Sequence, residues 1–465
     1  MGAGDAEKPE SRESIKMEKI KPRTLSGFME LMPARQVIFE MVAQKLRDSF
    51  SLYGFTPLDT PIMEASEILL AKGGGETEKQ IYSLRKGDVD LALRYELTTS
   101  LAKYVAMYYD KLAFPFRRYE IGKVYRGERA QRGRFREFYQ ADIDIIGDGG
   151  LDIINEAEIP GVIYKSFMSL GLERFVIHIN NRKALSGFFE IIGIQGAAPD
   201  ILRAVDKLEK IGPGKLSEML TGKLGLSAAR SDEIVGFITY QGDPFDVLDK
   251  YRGKNNTFDR GADELLAVKQ HMSGFGVPDT HFKIDLSIAR GLDYYTGTVY
   301  ETLMLDHPEV GSICSGGRYD NLAGYFIDRN LPGVGISIGL SRLFYILQEQ
   351  GMLSDSILTS PSDVLIIPMT GDLSHSVALA TSMRESGLRV QIYGEDKKLK
   401  TKVSYADKLG VPYVAFIGED EINGGVITVK DMISGSQTTA SAGILIAGII
   451  EQIKSLRSGA PIDLS

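Results

Sequence analysis

The sequence is poor in cysteine and in long apolar runs. Its one cysteine, Cys314, excludes an internal disulfide and a zinc site built on cysteine ligands. A chain without disulfides is typical of a reducing compartment, so we predict a cytoplasmic protein. The one membrane-like stretch, residues 442–450, is shorter than the roughly 20 residues that span a bilayer, and we interpret it as a buried helix. Residues 1–20 contain no apolar signal-peptide segment, so no membrane association is expected.

An excess of positive charge is also absent. The chain has 54 Lys and Arg against 62 Asp and Glu, so its formal net charge is −8. Any binding of nucleic acid must therefore depend on local basic patches. Three glycines at residues 73–75 lack the Gly-Lys-Ser/Thr ending of a phosphate loop, and no strand directly precedes them. We interpret them as a flexible loop.

Length and patterning indicate several domains. The 465 residues are 43% hydrophobic and 25% charged, which is typical of a globular protein of two or three domains. Residues 1–20 are of mixed charge and predict a disordered tail. Short amphipathic segments over residues 182–275 predict a helical insertion, and residues 353–362 a linker. Alternating strand and helix patterns in residues 363–465 predict a separate domain with a small mixed or parallel sheet.

The most informative stretch is residues 116–147. It has eight basic residues between Arg117 and Arg136, and its alternation with period two on both sides of a polar turn predicts an antiparallel strand, loop and strand. Alternate side chains share a face, and the face with Tyr139, Ala141, Ile143 and Ile145 is apolar and should pack on a core. The opposite face carries Arg134, Arg136, Phe138, Gln140, Asp142 and Asp144.

This polar face has two interpretations. It is either a solvated strand with surface ion pairs, which is the ordinary case, or a binding site. Arginine matches the geometry of phosphate oxygens, and an aromatic ring offers a plane on which a base can stack. Glu96 and Thr98 likewise follow a predicted strand at a helix start, where they are either caps or substrate contacts.

Two later stretches again bring arginine to glycine-rich backbone. In residues 283–305, two β-type runs flank RGLDYYTG, which predicts a hairpin whose turn presents Arg290 beside Tyr294 and Tyr295. Paired tyrosines are also common as core aromatics. The following SICSGGRYDNL predicts a glycine-rich hairpin.

Residues 333–350 predict a strand that passes into a helix at Gly339. Arg342 lies off the buried stripe of this helix, in its first turn. A cation is unfavourable at the positive end of a helix, so the position suits a bound anion.

These stretches resemble the motifs of class II aminoacyl-tRNA synthetases. The segment ending TPIME, with Pro61, is similar to motif 1, which builds the dimer interface in that class. YRGERAQRGRFREFYQADIDIIG resembles motif 2, and GVGISIGLSRL resembles motif 3. ARGLDYYTGTVYE and SGGRYDNL resemble the two signatures of the histidyl-tRNA synthetase family, and RGLDYYTG is the most specific of them.

The resemblance covers nearly the whole chain after the tail and implies the fold class. We expect an α+β catalytic core with an antiparallel sheet over residues 21–181 and 276–352, interrupted by the helical insertion. A C-terminal α/β anticodon-binding domain should follow over residues 363–465. One departure lies near the start, where the family's Gly-x-Arg-Asp is Gly27, Phe28, Met29, Glu30. Any contact made by that arginine is therefore in doubt.

The resemblance also implies a role for each site residue. Arg126 and Arg290 would contact the α-phosphate of ATP and stabilise the transition state. The ATP-binding residues would be Arg126, Glu128, Arg134, Phe138 and Arg342, with Phe138 stacked on adenine. The histidine-binding residues would be Glu96, Thr98, Gln140, Asp144, Tyr294 and Tyr295. No metal ligand is assigned to the chain itself, although Mg²⁺ is expected together with ATP.

The implied function is that of a histidine–tRNA ligase, which activates L-histidine with ATP and transfers it to tRNA(His). A homodimer is expected from motif 1, and the basic run Lys397, Lys398, Lys400 and Lys402 would be either a solvated loop or a contact for tRNA phosphates. One alternative is a histidine-binding regulatory relative, like the regulatory subunit of ATP phosphoribosyltransferase, which typically lacks the C-terminal domain. A second is a synthetase-like sensor of uncharged tRNA that regulates a kinase, but the chain has no kinase motifs.

Overall fold

A computed structural model of the chain describes residues 19–71, 76–129, 131–288, 295–353 and 357–458. Residues 1–18 of the predicted tail, the glycine loop at residues 73–75, Arg290 and Tyr294 lie outside these residues. In chain order the strands are β1 (Thr56–Pro57), β2 (Met63–Ala65), β3 (Ser83–Lys86), β4 (Val89–Leu93), β5 (Phe116–Tyr125), β6 (Glu137–Ile146), β7 (Phe175–Asn181), β8 (Phe282–Ile284), β9 (Thr298–Met304), β10 (Cys314–Tyr319), β11 (Gly333–Ile338), β12 (Val364–Pro368), β13 (Val390–Ile392), β14 (Tyr413–Ile417), β15 (Ile427–Asp431) and β16 (Gln437–Ala440).

Helices pack on the sheets and form most of the segment between β7 and β8. They are α1 (Pro33–Leu52), α2 (Ser66–Leu69), α3 (Glu76–Gln80), α4 (Thr98–Tyr108), α5 (Ile154–Ser169), α6 (Arg182–Ile191), α7 (Ala198–Val205), α8 (Leu208–Gly222), α9 (Ala228–Ile238), α10 (Pro244–Asp249), α11 (Asn256–Met272), α12 (Leu340–Glu349), α13 (Ser374–Glu385), α14 (Leu399–Leu409), α15 (Glu419–Gly424) and α16 (Ala442–Ser458).

The large sheet has eight strands in the order β1-β5-β6-β11-β10-β9-β7-β8. Its pairs are antiparallel except for β1 with β5 and β7 with β8, which confirms the predicted antiparallel core. A smaller sheet, β2-β4-β3, lies between β1 and α4 in the chain. Strands β5 and β6 pair over their full length, from Phe116 opposite Ile146 to Tyr125 opposite Glu137.

The apolar face of β6 lies on the core, as the alternation predicted. Ala141, Ile143 and Ile145 are fully buried in a cluster with residues of α1, α5 and α12. The prediction was wrong for the start of this strand. Strand β6 begins at Glu137, so Arg134 and Arg136 lie in the preceding loop, where mutual hydrogen bonds between Gln131 and Arg134 close a tight turn.

Two predicted hairpins are wrong. Strands β8 and β9 do not pair, because β7 lies between them, parallel to β8 and antiparallel to β9. The parallel pair requires a long crossover, which the helices α6 to α11 provide. The segment SICSGGRYDNL contains one strand, β10, between β9 and β11.

The helices of residues 182–272 pack into the same hydrophobic cluster as the large sheet. Helices α6 and α11 approach closely because each has a glycine at the contact. A Cβ on Gly187 would lie 2.3 Å from the backbone nitrogen of Phe258, and one on Gly261 would lie 2.3 Å from that of Ala184.

The C-terminal residues form a mixed five-stranded sheet in the order β13-β12-β14-β15-β16, as predicted. It has its own hydrophobic cluster. Helix α16 is amphipathic rather than wholly buried, since Ile446, Ile449 and Ile453 are buried while Ile444 is exposed. Within the described ranges, no helix is long and apolar enough to cross a membrane.

The close approach of α6 and α11 gives a first prediction. Gly261→Ala should lower the free energy of unfolding by about 1–3 kcal/mol, because the new methyl group has no space. Gly236 lies in α9 with no atom near its Cβ position, so Gly236→Ala should instead raise stability by up to about 1 kcal/mol through helix propensity. Thermal unfolding of the two variants measures both effects, and equal midpoints would contradict this account of the contact.

Candidate active site

A cavity of about 440 Å³ lies over the polar face of the strands β6, β10 and β11. Every predicted site residue that the structure describes lines this one cavity. These residues are Glu96, Thr98, Arg126, Glu128, Arg134, Phe138, Gln140, Asp144, Tyr295 and Arg342. Side chains from four separated parts of the chain thus meet at one place.

Arg126 follows the end of β5 and lies between two aromatic rings. Its guanidinium carbon is 4.4 Å from the ring centroid of Tyr95 and 5.1 Å from that of Phe138. Its Nε donates to the carbonyl of Tyr95 at 3.3 Å. The two rings and the carbonyl hold a positive charge in the cavity.

Arg342 lies in the first turn of α12, where the sequence predicted it. The stripe of Leu340, Leu343, Phe344 and Leu347 is buried as expected. Nη1 of Arg342 donates to the carbonyl of Ser312 at 3.0 Å, and Nη2 donates to that of Val310. Burial, and then the nearby charge of Arg134, lower the pKa of Arg342. An anion beside these two arginines would relieve their repulsion.

Glu96 caps the helix α4, which was one of its two interpretations. Its Oε2 accepts from the backbone nitrogen of Thr98 at 2.5 Å, and its Oε1 accepts from that of Thr99 at 2.8 Å. The same carboxylate lines the cavity, so capping fixes its position there.

Two aspartates of β6 form the buried acidic part of the cavity. Oδ1 of Asp144 accepts from the hydroxyl of Tyr319 at 2.7 Å, and Oδ2 lies 2.7 Å from Nη2 of Arg118. Burial raises the pKa of Asp144 to about 6, against the opposing effects of Arg118 and Tyr319. Gly335 on β11 makes this arrangement possible, because a Cβ there would lie 2.2 Å from Oδ1 of Asp144.

Asp142 is buried without an equally close cation. Burial raises the pKa of its carboxyl to about 8, although Arg118 and a hydrogen bond with Ser337 act in the opposite direction. Ser337 also accepts a hydrogen bond at 2.5 Å from Nε2 of Gln140. Of the two aspartates, Asp142 therefore favours its protonated form more strongly than Asp144 does.

The sequence reasoning missed several residues of the site. Asp142 belongs to the same alternating face as Asp144 and could have been assigned from that alternation. Tyr319 lies in the quoted SGGRYDNL segment, but its contact with Asp144 depends on the order β6-β11-β10. Tyr95 and Gln80 also line the cavity, and no sequence pattern singled them out.

The fold is that of a class II aminoacyl-tRNA synthetase. The sequence profile of histidyl-tRNA synthetase matches residues 27–343, and that of an anticodon binding domain matches residues 363–452. A histidine–tRNA ligase of Clostridium tetani is 50% identical over 430 residues, which are 92% of this chain and 98% of the relative. The chain belongs to the histidyl-tRNA synthetase family.

Solved structures agree with this assignment. The histidyl-tRNA synthetase of Nostoc sp. PCC 7120 is 38% identical, with a TM-score of 0.84 over 93% of this chain and 100% of that one. A structure described as an ATP phosphoribosyltransferase regulatory subunit/histidyl-tRNA synthetase from Bacillus halodurans C is 19% identical, with a TM-score of 0.71 over 86% of this chain and 99% of that one. At that identity it shows a shared fold alone. The predicted family, fold class and enzyme class are confirmed, and the regulatory alternative is less supported.

The carboxyl of Asp142 gives a prediction about pH. In the folded protein its pKa is raised to about 8, whereas an aspartate in the unfolded chain ionises near 3.8. The folded state therefore binds one more proton between these values, so this group makes stability fall as pH rises from about 4 to 8. Asp142→Asn removes this loss of stability. The thermal midpoint of the variant minus that of the parent protein should therefore be larger at pH 8 than at pH 5.

The control for this measurement is Asp110→Asn, at an exposed aspartate. The difference in thermal midpoint between Asp110→Asn and the parent protein should be similar at pH 5 and at pH 8. A difference for Asp142→Asn that did not grow with pH would show that Asp142 is ionised in the folded protein.

Proposed function

We propose that the cavity on β6, β10 and β11 is the place where this enzyme joins L-histidine to ATP and then transfers the histidyl group to tRNA(His). The observation that supports this most strongly is that ten residues, assigned from separate motifs, line one cavity. The cavity contains arginines at one side and buried carboxyl groups at the other, as a triphosphate and an imidazole with N–H groups require.

The ATP end of the cavity is the part with arginines. Arg126 contacts the α-phosphate, Arg134 and Arg342 contact the outer phosphates, and Phe138 stacks on adenine, with Glu128 beside them. Arg290 is assigned to the α-phosphate as well, although it lies outside the described residues. In this arrangement adenine replaces the guanidinium of Arg126 against the ring of Phe138, and the guanidinium turns toward the phosphates.

The histidine end is the part with the buried carboxyl groups. Gln140 and Asp144 on β6 bind the amino acid together with Glu96 and Thr98 at the start of α4. Tyr295 lines the same cavity. Tyr294 is assigned to the same group and lies outside the described residues.

The reaction needs two steps and no covalent enzyme intermediate. A carboxylate oxygen of histidine attacks the α-phosphorus, and the bond to the bridging oxygen breaks so that pyrophosphate leaves with the electron pair. A terminal ribose hydroxyl of tRNA then attacks the activated carbonyl carbon and loses its proton, and AMP leaves. Negative charge develops on phosphoryl oxygens in the first step, and fixed guanidinium groups such as that of Arg126 stabilise it.

Mg²⁺ fits the phosphate end of the cavity. Glu128 and Glu301 are carboxylates whose charges act on Arg342, so both lie near the proposed outer phosphates. Mg²⁺ is commonly held by one or two carboxylates together with phosphate oxygens and water. Because such a site includes phosphate oxygens, the ion would bind together with ATP. Bound there, it would neutralise charge on the phosphate oxygens.

The remaining assignments concern assembly and organisation. The catalytic residues are proposed to lie in residues 21–181 and 276–352, with residues 182–275 as the insertion, 353–362 as the linker and 363–465 as the anticodon-binding domain. A homodimer is supported by motif 1 and by exposed apolar side chains there, Ile62 and Met63. A cytoplasmic location is supported by the substrates.

The direct test is ATP–pyrophosphate exchange with each of the twenty amino acids. Exchange should occur with histidine, and Arg126→Ala should lower its kcat by roughly 10²–10³ because a preorganised donor to the developing charge is lost. Arg230→Ala, an exposed arginine on α9, is the control and should behave like the parent. Exchange with another amino acid, or normal exchange by the Arg126 variant, would contradict the proposal.

A second prediction concerns tRNA and the basic run at the start of α14. Lys397, Lys398 and Lys400 are exposed, whereas Nζ of Lys402 donates to the carbonyl of Pro368 at 3.2 Å. Changing the three exposed lysines to Ala should weaken tRNA binding and lessen the slope of log Kd against log salt, because fewer counterions are released. Pyrophosphate exchange without tRNA is the internal control and should be unchanged. An unaltered slope of log Kd against log salt would show that the three lysines contact solvent and not tRNA phosphates.

A further inference from the structure

Arg118 is a fully buried arginine that does not line the cavity. It lies on β5 directly opposite Asp144 on β6, and it is 0% exposed. Its Nη2 is 2.7 Å from Oδ2 of Asp144, while the other oxygen of that carboxylate is held by Tyr319. A hydrogen bond from Tyr319 thus fixes one oxygen of Asp144, and the ion pair with Arg118 holds the other from behind, although no guanidinium nitrogen of Arg118 has a hydrogen-bond partner among the described residues.

Glu120, the other carboxylate that pairs with Arg118, is itself held by hydrogen bonds. Oε1 of Glu120 accepts from Nη1 of Arg94 at 2.7 Å and from the backbone nitrogen and the hydroxyl of Thr60 at 3.0 and 2.9 Å. Its Oε2 lies 3.7 Å from Nη1 of Arg118, which is farther than Asp144. The buried charges thus alternate in sign from Arg94 through Glu120 and Arg118 to Asp144.

We propose that Arg118 is a positioning residue for amino-acid selectivity, which keeps Asp144 ionised and aimed at the imidazole N–H of histidine. This inference rests on the proposed histidine-binding role of Asp144. It adds that the selectivity depends on a side chain which touches no substrate.

The groups that face Asp144 show why Arg118 matters. Strand β5 contributes Arg118 and Glu120, β6 contributes Asp142, β10 contributes Tyr319, and the start of α4 contributes Glu96. On β11 the neighbour is Gly335, which has no charge. Burial, Glu96 and Glu120 raise the pKa of Asp144, whereas Arg118 and the Tyr319 hydroxyl lower it.

Removing Arg118 removes the one cation among these groups. The pKa of Asp144, about 6 with Arg118 present, must then rise, because the remaining charged neighbours are carboxylates. Asp144 would be neutral at pH 7 and would accept only weakly from an imidazole N–H. At higher pH it would ionise again, and histidine binding should recover.

The test is the pH dependence of the KM for histidine in pyrophosphate exchange, between pH 6 and 9. Arg118→Met should raise this KM at pH 7 on the order of 10- to 100-fold, leave the KM for ATP within about twofold, and shift the profile to higher pH. Arg117→Met is the matched control on the same strand. Arg117 pairs with Glu158 away from the cavity, so its variant should keep the parent profile.

Two more variants separate charge from structure. Arg118→Lys retains the positive charge and should restore the position of the profile. If Arg118→Met fails to fold, Arg118→Gln carries the same expectation as the Met variant, because it is polar and also lacks the charge. A histidine KM in the neutral variants within twofold of Arg117→Met across the pH range would overturn the inference.

Asp144→Asn distinguishes failure of this inference from failure of the proposed site. If Asp144→Asn leaves the KM for histidine unchanged, the assigned role of Asp144 is wrong and the inference fails with it. If Asp144→Asn raises this KM while the Arg118 variants do not, the site stands and only the role of Arg118 is wrong.

Discussion

The proposed site is built over a buried ion pair between Arg118 and Asp144. Burying two charges costs several kcal/mol per ion, and such a pair breaks even only when its geometry is good and its other polar atoms are satisfied. Here Tyr319 donates to Asp144, and Arg94 and Thr60 donate to the neighbouring Glu120, but the guanidinium nitrogens of Arg118 have no hydrogen-bond partner among the described residues, so the cost is only partly offset. This desolvation cost is consistent with a strand pair that must keep one carboxylate fixed beneath a cavity.

The rest of the catalytic unit is arranged to keep this pair in register. Arg118 and Asp144 face each other because β5 and β6 pair without interruption over ten residues, and a slip by one residue would move the charges into the hydrophobic core. The opposite face of β6 is packed against α1 and α12. There the ring centroid of Phe39 lies 5.2 Å from that of Tyr139 and 5.2 Å from that of Phe344. The polar side chains above therefore stand on a rigid base.

Much of this could be predicted from the sequence, and the exceptions have a common cause. Alternation placed Ala141, Ile143 and Ile145 in the core and Gln140 with Asp144 in the cavity, because the strand period is a local property. The predicted start of β6 was wrong because the local pattern does not show the turn closed by Gln131. The two predicted hairpins were wrong because the local pattern does not show that β7 lies between β8 and β9 or that β10 lies between β9 and β11. The contact of Asp144 with Tyr319 joins side chains 175 residues apart and depends on strand order.

The most direct measurement is nitrogen NMR of ring-¹⁵N-labelled histidine bound to the enzyme and to its Asp144→Asn variant. If the imidazole donates to an ionised Asp144, one ring nitrogen carries a proton in a charge-assisted hydrogen bond, and its resonance moves when the carboxylate becomes an amide. The account predicts that shift in one nitrogen. Identical ring resonances in the two complexes would contradict it, because the imidazole would then lie away from the buried carboxylate.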